Sequence, residues 1–228
     1  MIEQPPVLRL RRPDRRPTEA QIAAFAGVPT SFVVDAMRGG GALATDIVPM
    51  PGNTAHAAGP AITCDNGPAG VLATLGAIHL VQPGDVIVAG FGGHQGCAAA
   101  GDKVCGMARN AGAAALVTDG PVRDAADIRR VGLPVWCTGL NPGTPHENGP
   151  GTVGLPVQTG GRQIETGDMV VADEDGVVVV PFARIDATIA HLEVVRSLES
   201  GLDARIAEGL RDPIAELLAS DRVAWEDG

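Results

Sequence analysis

Gln82-Pro83-Gly84-Asp85-Val86-Ile87-Val88-Ala89-Gly90-Phe91-Gly92-Gly93 sets the architecture. Pro-Gly-Asp reads as a tight turn. The four residues after it are apolar without alternation, which describes a strand buried on both faces, as in parallel sheets. Residues 90–93 then read as a flexible loop. Downstream, residues 98–110 read as a helix, 113–118 as a second buried strand, 124–130 as a short helix and 133–138 as a third strand. Strand and helix alternate, so the class is α/β.

The pattern extends in both directions. Residues 18–27 form a short helix, with Thr18 as cap and Glu19 in the first turn. Pro29-Thr30-Ser31 opens a second helix to about Met37, ended by Gly39-Gly40-Gly41. A strand follows over 58–64. A helix then spans 68–80, with Val71, Leu72, Leu75, Ile78 and His79 near one face. Residues 141–151 form a loop rich in Pro and Gly, and 152–158 another strand. Glu165-Thr166-Gly167-Asp168 and the apolar run after it repeat the turn-then-strand order of residues 82–90, which turn chemistry alone explains. Asp173-Glu174-Asp175-Gly176 is a hairpin turn into Val177-Val178-Val179-Val180. Residues 183–218 are helical, with breaks expected near Gly201 and Pro213. No linker divides the chain. The expected organisation is an N-terminal arm (1–17), one α/β domain (18–182) and a C-terminal helical extension (183–228).

Composition narrows the function. The 228 residues carry a net charge of −10, which repels phosphate backbones and argues against nucleic-acid binding. Aromatic residues are 3% of the chain, too few for a base-stacking platform. No run of about 18 apolar residues exists, so no membrane helix is expected. The first residues, Met1-Ile2-Glu3-Gln4-Pro5-Pro6, lack the basic-then-apolar order of a signal peptide. Cys64, Cys97, Cys105 and Cys137 show no C-x-x-C pairing, which suits reduced thiols in the cytoplasm and disfavours zinc. Arg9, Arg11, Arg12, Arg15 and Arg16 crowd the arm, which either grips an acidic partner or is solvated or folded onto its own acidic subunit or a neighbour, the latter favoured.

Chemistry concentrates between Gly92 and Asp127. Asp102 falls in the first turn of a helix, where free N–H groups attract anions. Arg123 and Asp124 follow a buried strand, where α/β folds place ligands. An Arg forks onto a carboxylate, and paired Asp residues offer hard oxygens to Mg²⁺ or Mn²⁺. The set suits a small oxo-acid held with a divalent metal. Taken alone, it equally fits a helix-end charge, a surface pair and a cap at Asp127.

Asp102, twenty intervening residues and Arg123-Asp124 resemble the D-x20-R-D motif of class II pyruvate aldolases. These act on 4-hydroxy-4-methyl-2-oxoglutarate and 4-carboxy-4-hydroxy-2-oxoadipate, and their relatives include the ribonuclease E activity regulator A (RraA) proteins. The resemblance runs from about Thr30 to Pro181. It includes Ser31-Phe32-Val33-Val34-Asp35-Ala36, Gly59-Pro60-Ala61-Ile62-Thr63, Pro83-Gly84-Asp85-Val86, Asp119-Gly120-Pro121-Val122-Arg123-Asp124 and Gly167-Asp168-Met169-Val170-Val171-Ala172-Asp173. It implies a three-layer β/β/α sandwich of the swivelling-domain, RraA-like type. It also implies a homotrimer or homohexamer with sites between subunits. Asp124 is then the direct metal ligand for Mg²⁺, Mn²⁺ or another divalent ion, and Asp102 acts on it through water. Arg123 binds the pyruvyl group, and the amides of Lys103, Val104 and Cys105 bind the substrate carboxylate. Gly92, Gly93 and His94 are further candidates for substrate contact. The loop bearing His146 and Glu147 is a candidate for specificity. Glu193 and Glu199 are candidates for a carboxylate lent to a neighbouring site. Regulators typically lack the acid at the Asp102 position, so its presence favours catalysis.

The implied reaction is cleavage of a 4-hydroxy-2-oxo di- or tricarboxylic acid to pyruvate and a second oxo-acid, with oxaloacetate decarboxylation alongside. Two alternatives stay open: a non-catalytic RraA-like regulator that binds a ribonuclease, and a related enzyme for another oxo-acid. Lys103, the only Lys, also raises the question of a Schiff base. The older methyltransferase name for such sequences finds no glycine-rich nucleotide loop to support it.

Overall fold

The computed structural model describes residues 6–226, so the opening residues 1–5, read above for a leader, lie outside the described residues. Element order is β1 (Leu8–Leu10), α1 (Glu19–Ala24), α2 (Thr30–Ala36), β2 (Val48–Pro49), β3 (Ala57–Asp65), α3 (Leu72–Leu80), β4 (Val86–Gly90) and α4 (Asp102–Asn110). Then come β5 (Ala115–Thr118), α5 (Ala125–Val131), β6 (Val135–Cys137), β7 (Gly151–Val153), β8 (Val157–Thr159) and β9 (Arg162–Ile164). The chain finishes with β10 (Met169–Asp173), β11 (Gly176–Val180), α6 (Ile185–Ala207) and α7 (Ala215–Leu218).

The main sheet runs β1-β7-β3-β4-β5-β6-β2, and its centre, β3 to β6, is parallel. Strand β3 bends between two layers. Its first half pairs antiparallel with β10, while residues from Ala61 onward pair parallel with β4. Period-two alternation then sorts the core. Ile87, Ala89 and Leu116 face one cluster with Ala73, Ala77, Cys105 and Ile128 of the helices α3–α5. Val86, Val88, Val117 and Trp136 face the opposite way, onto Val170, Ala172, Val177 and Val179 of the β10–β11 hairpin. The far side of that hairpin, with Val171 and Val180, is covered by Val33, Ile185 and Leu192 of α2 and α6. Sheet on sheet with helices outside is the expected β/β/α sandwich, and α1, α2 and α6 close the remaining face.

Local sequence explains most boundaries. Thr18 Oγ1 accepts from the Gln21 N–H, and the Gln21 side chain returns a bond to the Thr18 N–H, a complete capping box. The arm is folded onto its own chain. β1 pairs with β7, Arg16 pairs with buried Asp85, and Arg15 reaches Glu165 at 2.9 Å and buried Asp168 at 3.3 Å. The two repeated Gly-Asp turns therefore each receive one of two adjacent arginines. Burial raises both aspartates above the usual carboxylate range, against their hydrogen bonds and arginines, which pull the other way.

Four expectations change. The helix over 98–110 begins only at Asp102, because residues 99–100 pair with the chain at 121–123, with the Ala99 N–H donating to Pro121 O at 2.7 Å and Ala100 bridged to Val122. The helix over 68–80 begins only at Leu72, and its buried face is Ala73, Thr74 and Ala77 rather than the bulkier residues, because this helix lies close on the sheet. The strand over 152–158 divides into β7 and β8 around Pro156. Helix α6 passes through Gly201 without a break, since the cost of one Gly, about 1 kcal/mol, is small against 23 helical residues.

Candidate active site

Loops leaving the parallel strands β4 and β5 build the candidate site, as is usual for α/β sheets. Asp102 is the first residue of α4. The N–H of Cys105 is spent on Gly101 O at 3.0 Å, so Lys103 and Val104 are the predicted amides left without a helical acceptor. The chain after β5 then returns beside Ala100, with Arg123 N–H donating to Ala100 O at 3.0 Å. This pairing fixes Arg123 and Asp124 against the start of α4. Gly101 permits this close approach: a Cβ would meet Asp124 Oδ2 at 2.7 Å and Arg123 Cγ at 3.2 Å. Asp124 itself holds left-handed backbone (φ 58°, ψ 39°) at the entry to α5, a conformation that costs a non-glycine residue energy and clusters at functional positions.

Arg123 is oriented on two sides. Its Nε lies 3.3 Å from Asp124 Oδ2, and its Nη1 donates to Thr144 Oγ1 at 2.8 Å. Asp102 accepts from Lys103 Nζ at 2.8 Å. That bond holds the Asp102 carboxyl below its usual range and the Lys103 ammonium above its own. A Schiff-base lysine needs the opposite shift, so the geometry disfavours covalent chemistry at Lys103.

These groups share one cleft of about 280 Å³. Its polar lining includes Asp102, Lys103, Arg123, Asp124, Thr144 and Glu147, and its apolar lining includes Val71, Leu75, Val104, Met107 and Pro145. Thr144 and Pro145 were not read from the sequence as site residues. Nothing local marks them, because the 141–151 loop reaches the cleft only after His146 pairs its backbone with Ala69 and Val71.

Gly92, Gly93 and His94 sit outside this lining. Gly92 and Gly93 take left-handed φ of 64° and 67°, and the Asp119 carboxylate accepts the N–H of Phe91 and of Gly93 at 2.6 and 2.9 Å. Burial raises the Asp119 carboxyl. His94 packs edge-on against Phe91, with ring centroids 5.6 Å apart. Glu193 pairs with Arg196 at 2.8 Å. Glu193 and Glu199 lie on α6, in the other helical layer, and line no part of their own chain's cleft. His56 and His191 bond backbone carbonyls of Val28 and Ala36, consistent with structural roles. Asp35 lines a separate cleft with Ser31, Thr45 and Asp175.

The four cysteines are buried and unbridged, and burial pushes the Cys105 thiol up to about 12. Among the described residues, no three His, Cys, Asp or Glu side chains converge as a metal cage, and no helix is long and apolar enough to cross a membrane.

Comparison with known proteins agrees with this architecture. The chain is 37% identical over 160 residues to a Halalkalibacterium halodurans protein named "Putative 4-hydroxy-4-methyl-2-oxoglutarate aldolase", covering 70% of this chain and 76% of that one. A crystal structure of an uncharacterized Pseudomonas syringae pv. tomato protein matches with TM-score 0.76 at 24% identity, over 86% of this chain and 92% of that one. A Streptomyces coelicolor structure, described as an unusual member of the RNase ES inhibitor RraA protein family, matches with TM-score 0.72 at 28% identity. That match covers 83% of this chain and all of the other, at 100%. Residues 30–179 match the RraA-like family described as Aldolase/RraA, and the chain belongs to that family.

Proposed function

We propose that this chain is a divalent-metal-dependent pyruvate aldolase. It cleaves a 4-hydroxy-2-oxo di- or tricarboxylic acid to pyruvate and a second oxo-acid, and it decarboxylates oxaloacetate. The convergence of Asp102, Arg123 and Asp124 at the open amides of α4 carries this reading. The aldolase name of the 37%-identical relative supports it.

The residues present fit Mg²⁺ or Mn²⁺. Two carboxylates are the usual protein share for such ions, with water and substrate oxygens completing the shell. The close approach allowed by Gly101 brings Asp124 to the entry of α4, near Asp102. Asp124 would hold the ion directly and Asp102 through water. When bound, the ion supplies Lewis acidity toward the 2-oxo and carboxylate oxygens of the substrate.

The chain's own groups do the rest. The free amides of Lys103 and Val104, at the positive end of α4, hold the substrate carboxylate. Arg123, fixed by Asp124 and Thr144, directs its fork at the pyruvyl oxygens and stabilises the charge that develops there. Asp102 stays ionised beside Lys103 and steers a water that takes the proton from the 4-hydroxyl. The C3–C4 bond then breaks, C4 becomes a carbonyl, and the electron pair passes to C3 as pyruvate enolate. The water that took the 4-hydroxyl proton delivers a proton to C3, which gives pyruvate and restores the water. Loss of CO₂ from oxaloacetate forms the same enolate.

The proposal includes a cytoplasmic homotrimer or homohexamer. Val194, Leu198, Leu202 and Ile206 are exposed at four-residue spacing on α6, an apolar stripe suited to burial by another copy. The direct test couples pyruvate release from 4-hydroxy-2-oxo acids and oxaloacetate to lactate dehydrogenase, with and without Mg²⁺ or Mn²⁺. Absence of metal-dependent pyruvate from both substrate classes overturns the reading. Capture of ribonuclease E by a protein without turnover would favour the regulator alternative, for which the Streptomyces relative is the supporting observation.

A further inference from the structure

Arg123 is long and only half-buried, so its guanidinium keeps one direction only where fixed partners hold it. Two are present: Asp124 Oδ2, 3.3 Å from Nε, and Thr144 Oγ1, 2.8 Å from Nη1. In the proposed function Asp124 is committed to the ion, which leaves Thr144 as the contact reserved for Arg123. Thr144 lies in Asn141-Pro142-Gly143-Thr144-Pro145, where the two prolines have no N–H to give. The far end of this stretch is held at His146, whose backbone pairs with Ala69 and Val71. The near end depends on Asn141.

Asn141 is half-buried and uses both ends of its amide as well as its backbone N–H. The N–H donates at 3.0 Å to the carbonyl of Val122, the residue before Arg123. Nδ2 donates to Gln95 O at 2.8 Å, and Oδ1 accepts the Gly143 N–H at 2.7 Å. Gly143 O then accepts the Ala98 N–H at 3.0 Å. The turn lies tight on the chain after β4, since a Cβ at Gly143 would meet Cys97 Cα at 2.9 Å. The receiving segment is itself tied down. Gln95 Nε2 donates to Asp119 O at 3.0 Å, and Gln95 Oε1 accepts from Thr138 Oγ1 at 2.7 Å. Gln95 therefore joins the loop after β4 to the chain leaving β5 and β6. Neither Gln95 nor Asn141 lines the cleft.

We propose that Asn141 is a positioning residue for the reaction: it fixes the 141–144 turn, and through it the Thr144 hydroxyl that directs Arg123. The inference rests on the aldolase reading for the work that Arg123 does. Asn141 itself stays outside the bond-breaking chemistry. The substrate carboxylate is held by the α4 amides, so a loosened Arg123 forfeits stabilisation of the developing charge more than ground-state binding. Loss of Asn141 should therefore lower kcat and spare KM.

The test uses the full-length protein, Asn141→Ala, Thr144→Val and the double variant, with two readouts. One is steady-state pyruvate release with Mn²⁺. The other is the rate at which phenylglyoxal modifies Arg123 in the metal-free protein, followed by peptide mass spectrometry. Arg129, which donates to Pro51 O at 2.9 Å, is the internal control. Each single variant should lower kcat about tenfold with KM within about threefold of wild type. Each should also speed modification of Arg123 by about threefold or more, with Arg129 unchanged. If Asn141 acts through Thr144, the double variant should match Thr144→Val within about twofold on both readouts, whereas independent roles multiply. Thr144→Ser keeps the hydroxyl and should hold kcat within about threefold of wild type. A wild-type protein that releases no pyruvate, with Arg123 modified faster in both single variants and no faster in the double, overturns the aldolase reading and sustains the positioning role. With wild-type turnover intact, three results overturn the positioning role and leave the aldolase reading standing: Asn141→Ala within about twofold of wild-type kcat, an unchanged rate at Arg123, or a double variant at the product of the singles. Faster modification of Arg129 together with Arg123 marks general loosening and likewise overturns the positioning role.

Discussion

Gly101→Ala should disable the site and leave the fold standing. The backbone at Gly101 is extended (φ −138°, ψ −170°), which Ala adopts without strain. The added methyl would instead press on the neighbouring loop, 2.7 Å from Asp124 Oδ2 where ordinary contact begins at 3.4 Å. The carboxylate, or the Arg123 stem beside it, must withdraw by about 0.7 Å. Overpacking costs roughly 1–3 kcal/mol in a rigid core. Asp124 is solvent-exposed and can yield, so the low end applies, and the stiffer unfolded chain returns about 0.4–1 kcal/mol. Net stability should therefore change by less than about 1 kcal/mol, a shift of at most a few degrees in Tm. Catalysis tolerates less, since misplacement by about 1 Å costs on the order of a hundredfold. The expected loss in kcat/KM is about ten- to a hundredfold, equal to about 1.4–2.7 kcal/mol of transition-state stabilisation. Coupled pyruvate release at saturating Mn²⁺, alongside thermal unfolding of both proteins, measures the two quantities. A variant within about twofold of wild-type kcat/KM would refute the claim that Gly101 sets the Asp124–Arg123 position. A collapse of Tm would refute the claim that the backbone accepts Ala.

Other expectations follow from the same geometry. Asp124→Ala and exhaustive chelation should each remove pyruvate release by about a hundredfold or more, and added Mg²⁺ or Mn²⁺ should rescue only the chelated wild type; activity that survives chelation contradicts the metal reading. Lys103→Met should raise the Asp102 carboxyl toward its ordinary value of about 3.9, read by a carboxyl-carbon NMR titration. Borohydride with pyruvate should leave the wild-type mass unchanged, and an adduct at Lys103 would replace the metal mechanism with a covalent one. Arg16→Ala leaves the Asp85 carboxyl buried without its cation and should cost about 1–3 kcal/mol at neutral pH in urea unfolding. Loss of Arg16 raises the folded Asp85 pKa further, so its contribution is present at acid pH and lost as pH rises through that value. The Arg16→Ala deficit should therefore shrink toward pH 4, and a deficit independent of pH would point to lost packing alone.

Much of the fold was legible because local chemistry and tertiary demand coincide. Val86-Ile87-Val88-Ala89 is apolar on both faces and lies between two core clusters. Thr18 caps the helix it precedes, and Glu174-Asp175 turns the β10–β11 hairpin. Misreadings arose where packing overrode pattern. Periodicity put Leu72, Leu75 and Ile78 near one face, but the fully buried positions of α3 are the smaller Ala73, Thr74 and Ala77, with Ile78 packed at the margin of the core. Gly201 looked like a terminator, yet a Cβ there meets nothing within 4 Å, and the helix continues. At the site, the D-x20-R-D spacing brought Asp102, Arg123 and Asp124 together on the page and in the cleft. Thr144 and Pro145 arrive through long-range loop pairing, and no spacing rule announces such contacts. Asp119, which pins the glycine loop, entered the sequence reading only within the Asp119–Asp124 block, because its partners Phe91 and Gly93 lie 28 and 26 residues earlier, in the loop after β4.

The shared strand β3 has a consequence for how the protein is made. Its inner half finds β4 within about thirty residues, but its outer half waits for β10, more than a hundred residues later. Contacts of such sequence separation are paid for in loop entropy before they reward the chain, and they slow folding. During synthesis the Ala57–Pro60 edge therefore stays unpaired until Met169–Ala172 has emerged, an open apolar strand offered to any neighbouring chain. Closure of the β10–β11 hairpin onto that edge is the step that turns a half-sheet vulnerable to aggregation into the finished sandwich.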